Sequence, residues 1–203
     1  MHAAIVSAPR RLSVHNVLKN AGIGLALLLL TAIFSVASEH FLTAGNITNI
    51  LTQITINLIL AVGMTFVILI GGIDLSVGSV LAFAGVVAGK AITLSGYGDG
   101  TLIALAVLAG LGTGIICGLL NGVISAWWGL PSFIITLGML NIARGAALHV
   151  ADARTIYSFP YAFEEFGSIM VFGVPVLFLM ALALVAIAWV VLNFTVFGRL
   201  VYG

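Results

Sequence analysis

The chain has 203 residues, of which 62% are hydrophobic and only 6% charged, with a formal net charge of +1. Soluble domains carry about 45–50% apolar and about 25% charged residues, so this composition excludes a water-soluble globular fold. The absence of a Lys/Arg cluster excludes a nucleic-acid surface, and the single cysteine, Cys117, excludes an internal disulfide.

Residues 1–20 carry Arg10, Arg11 and Lys19 ahead of an apolar stretch. With no convincing small-residue cleavage site, they read as a retained cytoplasmic N-terminal segment and not as a signal peptide. Residues 21–203 read as one transmembrane domain. A spanning helix needs about 20 apolar residues. The charge-free blocks predict about six spans, near 21–38, 54–72, 75–95, 102–125, 131–150 and 170–192. The expected fold class is therefore all-α, a polytopic transmembrane helical bundle. Trp127-Trp128-Gly129-Leu130-Pro131 divides the longest block as an interfacial turn. Six crossings from a cytoplasmic start place Arg10, Arg11, Lys19 and Arg199 inside, against Lys90 and Arg154 outside, in keeping with the positive-inside rule.

Between the second and third spans, an apolar run reaches Gly71-Gly72, meets the carboxylate of Asp74 and restarts at Leu75-Ser76-Val77-Gly78. This pattern predicts a broken or turned helix near Gly71–Asp74, because non-helical backbone at membrane depth survives only against protein or water. Asp74 can cap the following helix, and it can also line a cavity beside the break.

Gly110, Gly114, Gly118 and Gly122 recur every four residues in the fourth span, and Gly85 and Gly89 repeat the spacing in the third. Such rows let helix backbones approach closely where lipid offers no hydrophobic drive. The expectation is packing inside the bundle, with dimerisation as the alternative. Polar residues within spans are Asn57, Asn121 and Asn141, with Arg144 one turn beyond Asn141. The asparagines either bond between helices or line a polar pathway. Arg144 either snorkels to the interface or acts within the membrane.

His2, His15, His40 and His149 have no ligand spacing, and neither a phosphate-binding GxxxxGK[ST] loop nor a Gly-x-Ser-x-Gly elbow occurs. No metal site, cofactor or catalysis is expected, and an intramembrane hydrolase is a distant alternative.

Asn49-Ile50-Leu51-Thr52-Gln53, Ala61-Val62-Gly63-Met64-Thr65-Phe66-Val67-Ile68 and Gly72-Ile73-Asp74-Leu75-Ser76-Val77-Gly78-Ser79 occur in one order. Asn121-Gly122, Pro131-Ser132-Phe133-Ile134-Ile135-Thr136-Leu137-Gly138-Met139, Arg144-Gly145 and the tail Thr195-Val196-Phe197-Gly198-Arg199-Leu200-Val201-Tyr202-Gly203 follow. Together they resemble the permease subunits of ribose-type ABC importers, over about residues 20–203. That family continues past the point where this chain stops, so the resemblance implies an N-terminal portion of a longer permease.

The resemblance implies translocation of a monosaccharide or related small polyol across the inner membrane. It implies a separate ABC ATPase subunit, a periplasmic or lipid-anchored sugar-binding protein and a second permease subunit in a homo- or heterodimer. The pathway candidates are Asn57, Asp74, Ser76, Ser79, Asn121 and Asn141. Phe197, Gly198 and Arg199 begin the segment that couples to the ATPase, although Arg199 also serves as an ordinary positive-inside anchor. Residues 152–165 meet the binding protein or form a solvated loop. The alternative function is a stand-alone channel, or a non-transporting assembly fragment of such a permease.

Overall fold

The structure is a computed structural model and describes residues 14–202. The helices are α1 (Val14–Ala37), α2 (Ala44–Leu69), α3 (Val77–Ile92), α4 (Asp99–Trp128), α5 (Ser132–Val150), α6 (Tyr161–Ser168), α7 (Val176–Phe194) and α8 (Val196–Tyr202). Two short strands, β1 (Met170–Val171) and β2 (Val174–Pro175), pair between α6 and α7. The protein is an all-α membrane helical protein. Each of the six predicted spans overlaps one helix. By length and composition, α2, α4, α5 and α7 are able to cross a membrane; α3 and residues 21–37 of α1 are apolar but shorter. Of the expected N-terminal segment, residues 1–13, with Arg10 and Arg11, lie outside the described residues.

Two compact units divide the chain at Asn49/Ile50, within α2. In the first, the rings of Phe34 and Phe41 stack at 5.6 Å, and Thr43 starts α2. The Thr43 hydroxyl accepts the Asn46 N–H (3.4 Å), while the Asn46 side-chain amide donates back to the Phe41 carbonyl (2.7 Å). This reciprocal cap sets the start of α2 at Ala44, ahead of the span expected from residue 54.

In the second unit, α3 packs against α4 and α5. Ile92 meets Leu102 and Ala106 at one level; Val80 and Phe83 meet Cys117, Met139 and Ala143 at the other. Hence α3 and α5 run together and α4 runs against them. The buried residues are mostly small, as close helix approach in lipid requires.

The row of α4 that does this is Leu102, Ala106, Cys117 and Asn121. The expected glycine row meets it only at its start. A Cβ on Gly110 would touch Ala88 Cβ at 3.4 Å, and one on Gly89 would touch Ile156 at 3.3 Å. At Gly85, Gly114, Gly118 and Gly122 it would meet no described atom within 4 Å. The reason is geometric: at 3.6 residues per turn, each step of four overshoots by about 40°, so a strict four-residue row winds off the contact face by Gly122.

The last span also begins later than expected, at Val176. The apolar stretch before it, residues 170–175, turns at Phe172-Gly173 and pairs as a hairpin instead of continuing the helix.

Candidate functional site

The break after α2 is closed by two bonds. Gly71 adopts φ +75°. Its N–H donates to the Ile68 carbonyl (2.9 Å) and that of Gly72 to the Val67 carbonyl (2.8 Å). This is a Schellman closure with glycine at the left-handed position. A Cβ on Gly72 would sit 3.0 Å from Val67 Cγ1 and 3.1 Å from the Val67 carbonyl oxygen. Two substitutions follow. Gly71→Ala should cost about 1–2 kcal/mol through its positive φ, and Gly72→Ala about 1–3 kcal/mol through crowding. Thermal unfolding in detergent reads both, and a variant as stable as the parent would contradict this account.

Beyond Gly72 the backbone runs extended along the start of α5. The Ile73 N–H donates to Ser132 Oγ (2.9 Å) and the Leu75 N–H to Thr136 Oγ1 (3.1 Å). The Thr136 hydroxyl lies 3.2 Å from the Ile73 carbonyl and 3.3 Å from that of Phe133. The two spacings match: residues four apart on a helix rise about 6 Å, and residues two apart on a strand about 6.6 Å. One face of α5 therefore takes alternate N–H groups of the extended segment. The backbone donors of residues 71, 72, 73, 75 and 76 thus have partners, which non-helical chain at membrane depth needs.

Asp74 closes the segment. Its Oδ1 accepts the Ser76 N–H at 2.7 Å and the Ser76 hydroxyl at 2.6 Å. Ser76, fully buried, is the N-cap of α3, and its own hydroxyl makes no cap bond. Asp74 therefore fixes the cap residue and not the free N–H groups of the first helical turn. The Ser76 Oγ also accepts from the Asn121 side-chain amide at 3.0 Å. The chain Asn121–Ser76–Asp74 thus runs from neutral donor to carboxylate, joining α4 to the break. Asn121 Oδ1 is buried and has no hydrogen-bond partner among the described residues.

Of the six expected pathway residues, the structure brings Asp74, Ser76 and Asn121 together. Ser79 lies one turn further along α3, on a groove of about 540 Å³ between α3 and α5. Arg144, Arg154 and Thr155 supply the other polar groups of this groove; Gly78, Ala82 and Ala147 are among its small apolar ones. Asn57 and Asn141 are exposed, and the Asn141 amide bonds back to Leu137 of its own helix (3.0 Å). Sequence reasoning missed Ser132 and Thr136 at the break and did not place Arg144 beside Ser79 on the groove. The spacing of Ser132 and Thr136 was the available signal. At the end of α3 away from the break, Lys90 pairs with Asp152 at 3.2 Å, both well exposed; such a pair contributes about 0–1 kcal/mol. No group of three or more His, Cys, Asp or Glu able to hold a metal occurs among the described residues.

The coupling candidates lie at the α7–α8 corner. Thr195 ends α7; its hydroxyl donates to the Val191 carbonyl (2.6 Å) and accepts the Gly198 N–H (3.4 Å). The Phe197 ring stacks on Phe66 of α2 at 6.0 Å. Gly198 is buried directly against the Leu192 backbone, while Arg199 is exposed.

The family model described as branched-chain amino acid transport system / permease component matches residues 46–203. The D-allose transport system permease protein AlsC of Escherichia coli is 39% identical over 177 residues, 87% of this chain and 53% of that protein. The ribose import permease protein RbsC of Haemophilus influenzae is 40% identical over 182 residues, 88% of this chain and 55% of that protein. RbsC of Bacillus subtilis is 36% identical over 196 residues, 95% and 59% respectively. The chain thus spans about half the length of the curated relatives it matches. No solved structure matches it.

Proposed function

The chain belongs to the family of branched-chain amino acid transport system permease components, and from that premise we propose that it forms the transmembrane permease subunit, or part of one, of an ATP-driven importer for a monosaccharide or related small polyol. The observation that carries this reading is the similarity to permeases named for allose and ribose, beside a family-model match that runs through the break, the groove and α8. The protein is multi-pass and is placed in the inner membrane, with its N-terminus cytoplasmic and residues 21–203 as the permease domain. The break and α8 then face the cytoplasm, and the Lys90–Asp152 end of the groove faces outward. ATP hydrolysis falls to a partner ATPase, which α8 meets through Arg199; a sugar-binding protein delivers cargo outside; a second permease subunit completes the pathway. Gly85, Gly114, Gly118 and Gly122, open within this chain, are the surface proposed for that second subunit.

Passage runs along the α3–α5 groove. Arg144 and Ser79 offer hydrogen bonds to passing hydroxyl groups, and the break residues Asp74, Ser76 and Asn121 hold the groove's inner end in place. An ionisable side chain inside a span costs several kcal/mol unless it serves a site. The test is uptake of labelled ribose and D-allose into proteoliposomes containing the chain, its ATPase and its binding protein, with leucine in parallel. ATP-dependent sugar uptake supports the reading; leucine uptake alone, or sugar flux without ATP, overturns it. Arg144→Gln should lower sugar uptake about tenfold, the worth of a charge-assisted hydrogen bond, and leave ATPase association unchanged. Undiminished uptake would remove Arg144 from the pathway.

A further inference from the structure

The residues between α6 and α7 form a finger with no polar side chain: Ile169-Met170-Val171-Phe172-Gly173-Val174-Pro175. Met170 pairs with Pro175 and Val171 with Val174. The turn residues have φ +51° (Phe172) and +79° (Gly173). A two-residue hairpin turn with both residues left-handed is normally Asn-Gly or Asp-Gly; a bulky aromatic there costs about 1–2 kcal/mol. Phe172 recovers none of this inside the chain, because its side chain is completely exposed, at 102%. Ile169, Met170 and Val171 are exposed with it.

Their position beside a span is given by one bond. The Val176 N–H, at the first residue of α7, donates to the Ile169 carbonyl at 2.9 Å, tying the base of the finger to the start of an apolar span. At about 3.3 Å per residue the tip lies within about 10 Å of that start, the range over which apolar side chains sink into the headgroup–acyl boundary. The acidic residues nearest in sequence, Glu164 and Glu165, belong to α6, and the finger itself is uncharged.

We propose that residues 170–175 are a lipid-dipping finger, with Phe172 seated in the phospholipid boundary beside the outer end of α7. This goes beyond the transport reading and holds for any cargo.

The test uses the whole chain in phosphatidylcholine vesicles, with Cys117→Ala removing the native thiol and a bimane label on Phe172→Cys. Tyr157→Cys, an exposed position at 73%, is the aqueous control. A phosphatidylcholine spin-labelled near its headgroup should quench the Phe172 probe at least about twofold more than the Tyr157 probe, and aqueous iodide should show the reverse order. Phe172→Asn, which suits the turn better, should keep the helical circular dichroism of the parent and abolish lipid quenching of a probe at Met170→Cys. Iodide quenching at Phe172 without lipid quenching overturns the proposal. So does shielding of the probe that appears only when the sugar-binding protein is added, since that outcome assigns the finger to a protein partner.

Discussion

On the proposed importer reading, Gly198→Ala should uncouple the chain from the partner ATPase while leaving the spans inserted. An added Cβ would fall on the carbonyl carbon and oxygen of Leu192. Both are backbone atoms at the end of α7, so no side-chain rotation relieves the clash. Overpacking of this kind costs about 1–3 kcal/mol even where side chains can yield. Here the cheapest escape is for α8 to swing away, which separates Phe197 from Phe66 and breaks the Thr195–Gly198 cap. Three measurements check this. Recovery of the variant in the membrane fraction should match the parent. Trypsin should cut at Arg199 faster. Co-purification of the ATPase should fall about tenfold, a change of about 1.4 kcal/mol. An alanine variant with parental protease resistance and ATPase recovery would show that the corner adapts, and α8 docking would lose its basis.

Ser76→Ala should be the most destabilising single change at the break. The hydroxyl serves two neighbours, giving its proton to half-buried Asp74 and taking one from buried Asn121. Its removal leaves the Asn121 amide, already without a partner for Oδ1, unpaired at both ends. The newly orphaned Asn121 NH2 costs about 1–3 kcal/mol and the lost bond to Asp74 about 1 more, so a loss of about 2–4 kcal/mol is expected in detergent unfolding. The same arithmetic predicts a rescue. Adding Asn121→Leu to Ser76→Ala removes the orphaned amide and should restore part of the loss, whereas Asn121→Leu alone should destabilise. Additive losses in the double variant would mean that the two side chains do not form one network.

The residues that announce the break were legible because its chemistry is local. Two glycines end a helix, and one carboxylate two positions before a serine fixes the next cap. What holds the extended segment was not legible, because Ser132 and Thr136 lie 59 and 61 residues away along the chain. Polarity marked Asn57 and Asn141 without telling which way each helix turns them, and Asn141 spends its amide on its own backbone. The apolar run before α7 carried no sign of its bend. Helix and hairpin both accept Met-Val-Phe, and only the left-handed pair at Phe172-Gly173 separates them. The spans themselves were read well, since length without charge is the property that the bilayer selects.

The two hydrogen bonds of the Schellman closure stay within α2, and every fastening beyond Gly72 goes to Asp74, α4 or α5. The mechanical seam of the molecule therefore falls at Gly72. If α5 tilts or slides, it carries the start of α3 as cargo, and the torsions of Gly72 absorb the displacement while the two bonds of the closure stay made. A motor acting on this chain would find a hinge already cut there.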